Sequence, residues 1–297
     1  LHVPPVRARY PLHTPQGLDR TATTKSLKAR IPAGFFIPTL TPTMPLRIDI
    51  LTTFPEMFGD SPGCALNSSI PSRARAAGAI EWFASNIRDH TTDRHQKTDD
   101  RPFGGGPGMV MLCQPLWDAV HVVEALDPRP TTRIMLTPQG HPLTQQLVEE
   151  LAAKPRLLLI AGHYEGIDER VIQALAPIEI SIGDYVLSGG ELAAIVLIDA
   201  VARLLPGALG HQDSATQDSF SPAPDGRRLL DCPHYTKPRT WHDRAVPDIL
   251  LSGDHGAIAA WRHQQRVART QDRRPDLLGT PYFPGRAPPP QPNPTNR

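Results

Sequence analysis

Arg156-Leu-Leu-Leu-Ile-Ala161, followed at once by Gly162-His-Tyr-Glu-Gly166, is a near-continuous apolar run that stops at a glycine. A strand reads this way, without polar alternation, when both of its faces are covered, as in a parallel sheet. On its N-terminal side, residues 143–154 carry Leu147, Val148 and Leu151 at helical spacing. Before that helix, residues 133–137 form a short strand closed by Pro138-Gln139-Gly140. On its C-terminal side, Ile178-Glu-Ile-Ser-Ile182 is a further strand that runs into Gly183-Asp-Tyr-Val-Leu-Ser-Gly-Gly-Glu191. A helix over residues 190–205 follows, with Leu192, Ile195, Ile198, Ala202 and Leu205 on its predicted apolar face and Pro206-Gly207 as its stop. Strand, helix and strand in alternation predict an α/β domain with a parallel sheet. Its ligand belongs at the carboxyl ends of the strands.

Further out, residues 46–51 and 79–87 read as strands and residues 114–126 as a helix with Leu116, Val120, Val123 and Leu126 in phase. The loop Arg101-Pro-Phe-Gly-Gly-Gly-Pro-Gly108 invites a phosphate-loop reading. It lacks the Lys-Ser/Thr of a nucleotide triphosphatase, and Met109 stands where a dinucleotide fingerprint needs its last glycine, so both are disfavoured. The remaining strand-end segments, Thr137-Pro-Gln-Gly140, Gly162 to Gly166 and Ser181 to Glu191, converge on one site. Glycines there let a flat heterocycle approach main-chain donors and acceptors.

With 39% hydrophobic and 21% charged residues in a chain of 297, the composition is that of a globular protein with a real core. No apolar run approaches the roughly 20 residues that span a bilayer. Cys64, Cys113 and Cys232 are odd in number and far apart, which excludes a disulfide framework and fits a reducing cytoplasm. His95, His163 and His234 share no ligand spacing, and no metal site is predicted from them. The net charge of +1 means that a nucleic-acid partner must be met by a local basic patch. Many of the 34 prolines sit at the ends, so residues 1–43 and 280–297 are expected to be disordered, with Met44 as a candidate start. Residues 210–228 read as a mobile linker between a catalytic domain (44–209) and a C-terminal domain (229–279). In the latter, Arg262, Arg266, Arg269 and Arg273 stripe one helix, either as a solvated face or as a phosphate-binding ridge.

The strings Phe54-Pro-Glu-Met-Phe58, Asp99-Asp-Arg-Pro-Phe-Gly-Gly-Gly-Pro-Gly-Met109, Gly162-His-Tyr-Glu-Gly-Ile-Asp-Glu-Arg170, Ser181 to Glu191, Asp199-Ala-Val-Ala-Arg203, Asp218-Ser-Phe220 and Leu230-Asp-Cys-Pro-His-Tyr-Thr236 stand in that order. Together they closely resemble the bacterial tRNA (guanine-N1)-methyltransferases of the knotted SPOUT superfamily. The resemblance covers about residues 46–278. It implies a deep trefoil knot in the parallel sheet, a small mainly helical C-terminal domain that binds tRNA, and a homodimer that shares its active site. It further implies methyl transfer from S-adenosylmethionine to N1 of the guanine at tRNA position 37, just 3′ of the anticodon.

By the same resemblance, Pro138, Gly140, Gly162, Tyr164, Ser181, Ile182, Gly183, Asp184, Tyr185, Val186, Leu187, Gly189 and Gly190 hold the methyl donor. Asp218 matches the general base that removes the N1 proton, and Arg203 the cation that meets charge on the guanine oxygen. Glu165 matches an acid that either offsets the sulfonium or helps hold a Mg2+ ion. Asp99 and Gly108, with Arg262, Arg266 and Arg269, are the expected tRNA contacts. Each residue also has a plain structural reading: Asp218 as a turn residue, Arg203 as the i, i+4 partner of Asp199, Glu165 as a loop acid, Asp99 as a partner of Arg101. The chain departs from the family at Pro71-Ser-Arg-Ala74, where a glycine is usual, at His163 in place of arginine, and in an insertion over residues 221–228. Two other readings are a SPOUT methyltransferase of ribosomal RNA and a catalytically silent RNA-binding protein.

Overall fold

A computed structural model describes residues 44–61, 63–208, 218–222 and 226–279. The two proline-rich ends, and most of the predicted linker, lie outside the described residues. Five parallel strands, β1 (Leu46–Thr52), β2 (Ile80–Asn86), β5 (Thr132–Pro142), β6 (Arg156–Ala161) and β7 (Ile178–Ser181), form one sheet in the order β2-β1-β6-β5-β7. Two short strands, β3 (Asp99–Asp100) and β4 (Val110–Met111), make a separate hairpin. The helices are α1 (Ser69–Ala76), α2 (Cys113–Ala125), α3 (Gln145–Ala152), α4 (Glu169–Leu175) and α5 (Glu191–Ala202).

β6 is central, and each of its residues is buried. Leu157 and Leu159 join a core with α1, α3 and α5, while Leu158 and Ile160 join a second core with α2 and α4. Successive side chains point to opposite faces; with helices over both, the strand has no polar face, which accounts for its near-continuous apolar run. Its one charged residue, Arg156, is fully buried. Nε donates to Asp49 at 2.7 Å, and the two Nη groups donate to the carbonyls of Val123, Glu124 and Asp127, capping the C-terminal end of α2.

The structure shifts several sequence-based expectations. β5 does not end at Thr137: residues 137–140 loop out, and the chain resumes pairing, so that Leu136 and His141 both face Ile180. α5 buries Ala193, Ala194, Leu197, Ile198, Val201 and Ala202, whereas Leu192, placed on the inner face by the sequence, is 52% exposed. A helix apolar nearly all round has no pattern to set its phase. α1 forms despite Pro71, which lies in its first turn, where a missing N–H costs little. The end of the predicted linker is fastened. Phe220 N donates to Leu229 O at 2.8 Å, and Arg228 pairs with Glu149 of α3 at 2.6 Å.

Beyond it lie a two-stranded hairpin, β8 (Thr240–Trp241) and β9 (Arg244–Ala245), and the long helix α6 (His255–Arg273), capped by Asp254, which accepts from Ala257 N at 2.9 Å. The buried Thr270 hydroxyl accepts from Leu230 N and ties α6 to the chain that leads into it.

Candidate active site

The carboxyl ends of β5, β6 and β7 open onto a cavity of about 480 Å³. Pro138, Gly162, Tyr164, Glu165, Ser181, Ile182, Gly183, Tyr185, Val186, Leu187, Gly189 and Gly190 all line it. Gly140 and Asp184, grouped with them by sequence, do not; Asp184 is exposed. Gly140 has another task. A Cβ there would lie 2.5 Å from the carbonyl carbon of Glu179 and overlap Ile180 N, so only glycine lets the looped-out segment of β5 press against β7.

The segment after β7 is shaped by its own polar groups. Ser181 Oγ accepts from Gly183 N and donates to Gly183 O, Tyr185 N donates to Gly183 O at 2.9 Å, and the Tyr185 hydroxyl donates to Ile182 O. The chain then returns to the end of β6, where Gly190 N donates to Gly162 O at 2.8 Å. Gly190 passes so close to Ala161 that an added Cβ would meet its Cα at 2.8 Å. The result is a cradle with one apolar wall and a main-chain rim, suited to a flat heterocycle.

Buried beneath the rim is Glu191, only 3% exposed, whose Oε1 accepts from the Thr52 hydroxyl at 2.7 Å. Its Oε2 stands 3.6 Å from Nδ1 of His163, whose ring packs against Phe54 and Tyr164. Sequence reasoning missed Thr52 and Glu191 as supports of the loop. The available signal was an acid directly after Gly189-Gly190, in the first turn of a helix, where a carboxylate also meets the positive helix end.

Glu165 sits on the cavity wall, and its backbone N–H donates to Met109 O at 2.9 Å. Gly108, at φ 77°, presses so closely on the Glu165 side chain that no Cβ would fit. The β3–β4 hairpin is thereby fixed to the rim of the cavity, with half-buried Asp99 paired to Met111 in its ladder. Asp100, next to it, accepts from the backbone of Arg101.

Arg203 and Asp218 are brought together: Arg203 Nη2 donates to Asp218 Oδ2 at 2.7 Å, so Asp218 and not Asp199 is the partner that the arginine takes. They are not brought to the first cavity. The pair lines a second one of about 640 Å³, with Pro71, Ile195, Val196 and Asp199, at the far end of α5. A helix of 12 residues is about 18 Å long, which separates the pair from the Gly189-Gly190 turn. Neither Arg266 nor Arg269 stands free: Arg266 Nε donates to Leu230 O at 3.3 Å and Arg269 Nη1 to Asp231 O at 3.4 Å, while Arg262 is exposed. Among the described residues, the ligand atoms of Asp231, Cys232 and His234 lie within 4.8 Å of one another, but Asp231 and His234 already hydrogen-bond to each other at 2.7 Å.

The profile of the family described as tRNA (Guanine-1)-methyltransferase TrmD matches residues 46–280. A tRNA (guanine-N(1)-)-methyltransferase of Chloroflexus aurantiacus is 56% identical over 233 residues, covering 78% of this chain and 88% of its own. One from Pseudomonas putida is 56% identical, with 78% and 90% covered, and one from Pseudomonas syringae pv. tomato 55%, with the same coverage.

Proposed function

Because the chain belongs to the tRNA (guanine-1)-methyltransferase family, we propose that it methylates N1 of guanine 37 in tRNA, using S-adenosylmethionine. The observation that carries the chemistry is the 2.7 Å contact between Arg203 and Asp218. Guanine N1 bears a proton and is a weak nucleophile until that proton leaves. Asp218 accepts it, a general-base contribution of about 10²- to 10⁴-fold. As the proton leaves, charge builds on the guanine oxygen. The Arg203 guanidinium has five N–H donors; one holds Asp218 in place, and others stay available to that oxygen.

The 480 Å³ cradle is of a size that takes a nucleoside-like ligand, and its lining fits the methyl donor. When bound there, S-adenosylmethionine supplies an electrophilic methyl group on a sulfonium. Main-chain groups of residues 182–187 would hold its adenine edge, the apolar side of the loop would exclude water, and Glu165 would either offset the sulfonium charge or help hold Mg2+. Asp99 and Gly108, fixed to the rim, meet the RNA.

Base and donor cradle stand at opposite ends of α5, so the active site is completed by a second copy of the chain. The exposed apolar surface of Tyr185, Val186, Leu192 and Val196, running from the donor loop along α5, supports that homodimer. A trefoil knot is part of the same reading. It is supported by the chain's return from the edge strand β7 to the end of β6 before α5 enters the core against α1 and α3. Residues 229–279 form the tRNA-binding domain, joined through the linker that ends in the Arg228–Glu149 pair. Among the described residues no helix is long and apolar enough to cross a membrane, and we place the enzyme with its tRNA in the cytoplasm.

The test is methyl transfer from labelled donor to an unmodified tRNA transcript, with the product mapped to the base and the native chain compared with Asp218→Asn. We expect N1-methylguanine at position 37, a fall in kcat of about 10²- to 10⁴-fold in the variant, and unchanged donor affinity. Equal rates for the two proteins would remove Asp218 from the chemistry; no product from either would remove the enzyme reading.

A further inference from the structure

We propose that the β8–β9 hairpin, rather than the arginine stripe of α6, grips the phosphodiester chain of the RNA substrate, with Trp241 as a stacking surface for a base. The inference rests on the tRNA methyltransferase reading above and names a contact surface for it.

The arginine stripe is partly spent on structure. Arg266 and Arg269 are half-buried and lend N–H groups to the carbonyls of Leu230 and Asp231, and Arg266 Nη2 is buried as well. Guanidinium groups turned inward to fasten a helix are poorly placed to neutralise phosphate.

The hairpin has the opposite character. Every residue from 234 to 245 is exposed. Within that stretch Lys237, Arg239 and Arg244 face a single acid, Asp243, and none of the three cations has an ion-pair partner among the described residues. The turn is two residues long, His242 and Asp243, both with positive φ (45° and 58°). This is the geometry of a tight hairpin turn, usually given to Asn-Gly or Gly-Gly; non-glycine residues adopt it at a cost, and such strain concentrates at functional positions.

The register does the rest. Trp241 pairs directly with Arg244, so the two side chains rise from the same face of the ribbon. Arg239 stands just before β8, at the open end of the ribbon, where its carbonyl accepts from Val246 N at 2.9 Å. The indole thus shares one exposed face with the Arg244 guanidinium, and Arg239 follows at the base of the same ribbon. Trp241 is 59% exposed, and its ring meets that of His242 edge-on with the centroids 4.5 Å apart. An exposed aromatic beside unpaired cations, on backbone held by a short turn, is how proteins bind RNA with little sequence demand: cations take phosphates, and the ring takes a base.

The full-length chain and three variants, R239A/R244A, W241A and R266A/R269A, are titrated with unmodified tRNA transcript between 50 and 200 mM salt. Donor affinity and thermal melting are followed in parallel, and W241F serves as the stacking-competent control. We expect R239A/R244A to flatten the slope of log affinity against log salt by about 1.8, near 0.9 for each duplex phosphate no longer neutralised. W241A should bind about 5- to 100-fold more weakly, W241F within twofold of native, and donor affinity should not move. In turnover, KM for tRNA should rise while kcat at saturating tRNA holds. The proposal is overturned if R239A/R244A and W241A bind within twofold of native with an unchanged slope, or if R266A/R269A, melting as native does, produces the slope loss instead. A native chain that binds tRNA through the hairpin but forms no N1-methylguanine would overturn the enzyme reading and leave the hairpin assignment standing.

Discussion

Replacing Arg156 with methionine isolates the buried charge at the base of the sheet. The substitution keeps most of the side-chain volume and deletes four hydrogen bonds, one to Asp49 and one each to the carbonyls of Val123, Glu124 and Asp127. Breaking a buried ion pair by removing one partner costs about 3–5 kcal/mol, and each carbonyl left dry adds up to about 1–3 kcal/mol. Two circumstances reduce the total. Asp49 keeps Arg47, whose Nε and Nη2 reach it at 2.8–3.0 Å, and the end of α2 can shift toward water. With both reductions we take the net loss as about 4 kcal/mol, the middle of the ion-pair range alone, a large share of a typical total of about 5–15 kcal/mol. For a domain of this size it lowers Tm by about 8–16 °C. Urea unfolding followed by circular dichroism should show a lower midpoint at unchanged slope. Donor affinity at low temperature should match native, because Arg156 lies at the other end of β6 from Gly162. The double variant D49N/R156M should recover at least about 1 kcal/mol relative to R156M, since it no longer buries an underpaired carboxylate. A loss under about 1 kcal/mol for R156M, or no recovery in the double variant, would refute the reasoning.

Two further outcomes are expected. Gly140→Ala drives a methyl group into the backbone at Glu179 and Ile180; overpacking of this kind costs about 1–3 kcal/mol, and the displaced loop should weaken donor binding at least about tenfold, since 1.4 kcal/mol is a factor of ten. Calorimetric titration that found native affinity would contradict it. Hydrogen bonds from Arg129 and Arg170 hold the carboxyl groups of Asp127 and Asp168 far below the usual range. With folded values below an unfolded value near 3.9, their contribution is fully present above about pH 4 and is lost as pH falls through the folded values. Tm should therefore hold from pH 7 to 5 and decline below 4; a Tm constant from pH 5 to 2.5 would be inconsistent with these pairs.

What could be read along the chain was what local pattern determines. β6 announced itself because two covered faces leave no room for alternation, and the glycines at 189 and 190 marked the cavity at the strand ends because close approach demands them. What could not be read depended on distant partners. Arg203 had Asp199 within one helical turn, yet takes Asp218, which is delivered by the chain beyond α5. Glu191 is buried only because Thr52 is there to donate to it. Arg156, the one charge in an otherwise apolar strand, is satisfied only by the end of α2, whose carbonyls it caps. Leu192 was set on the inner face of α5 because it is as apolar as the Leu197 and Ile198 that the helix buries. The basic stripe of α6 was periodic enough to suggest one solvent-facing surface; the carbonyls of Leu230 and Asp231, which claim two of its members, come from outside the helix.

The detour in β5 begins and ends opposite the same residue, Ile180. Because the strand leaves its neighbour and rejoins it without losing count, the four residues in between are modular. They can change in sequence or length while the strands on either side keep their partners and the side chains below keep their faces. Ligand preference on that wall of the cavity can therefore drift under selection, or be rewritten by design, without the sheet having to be solved again; Gly140, which touches β7, is the one position where that freedom ends.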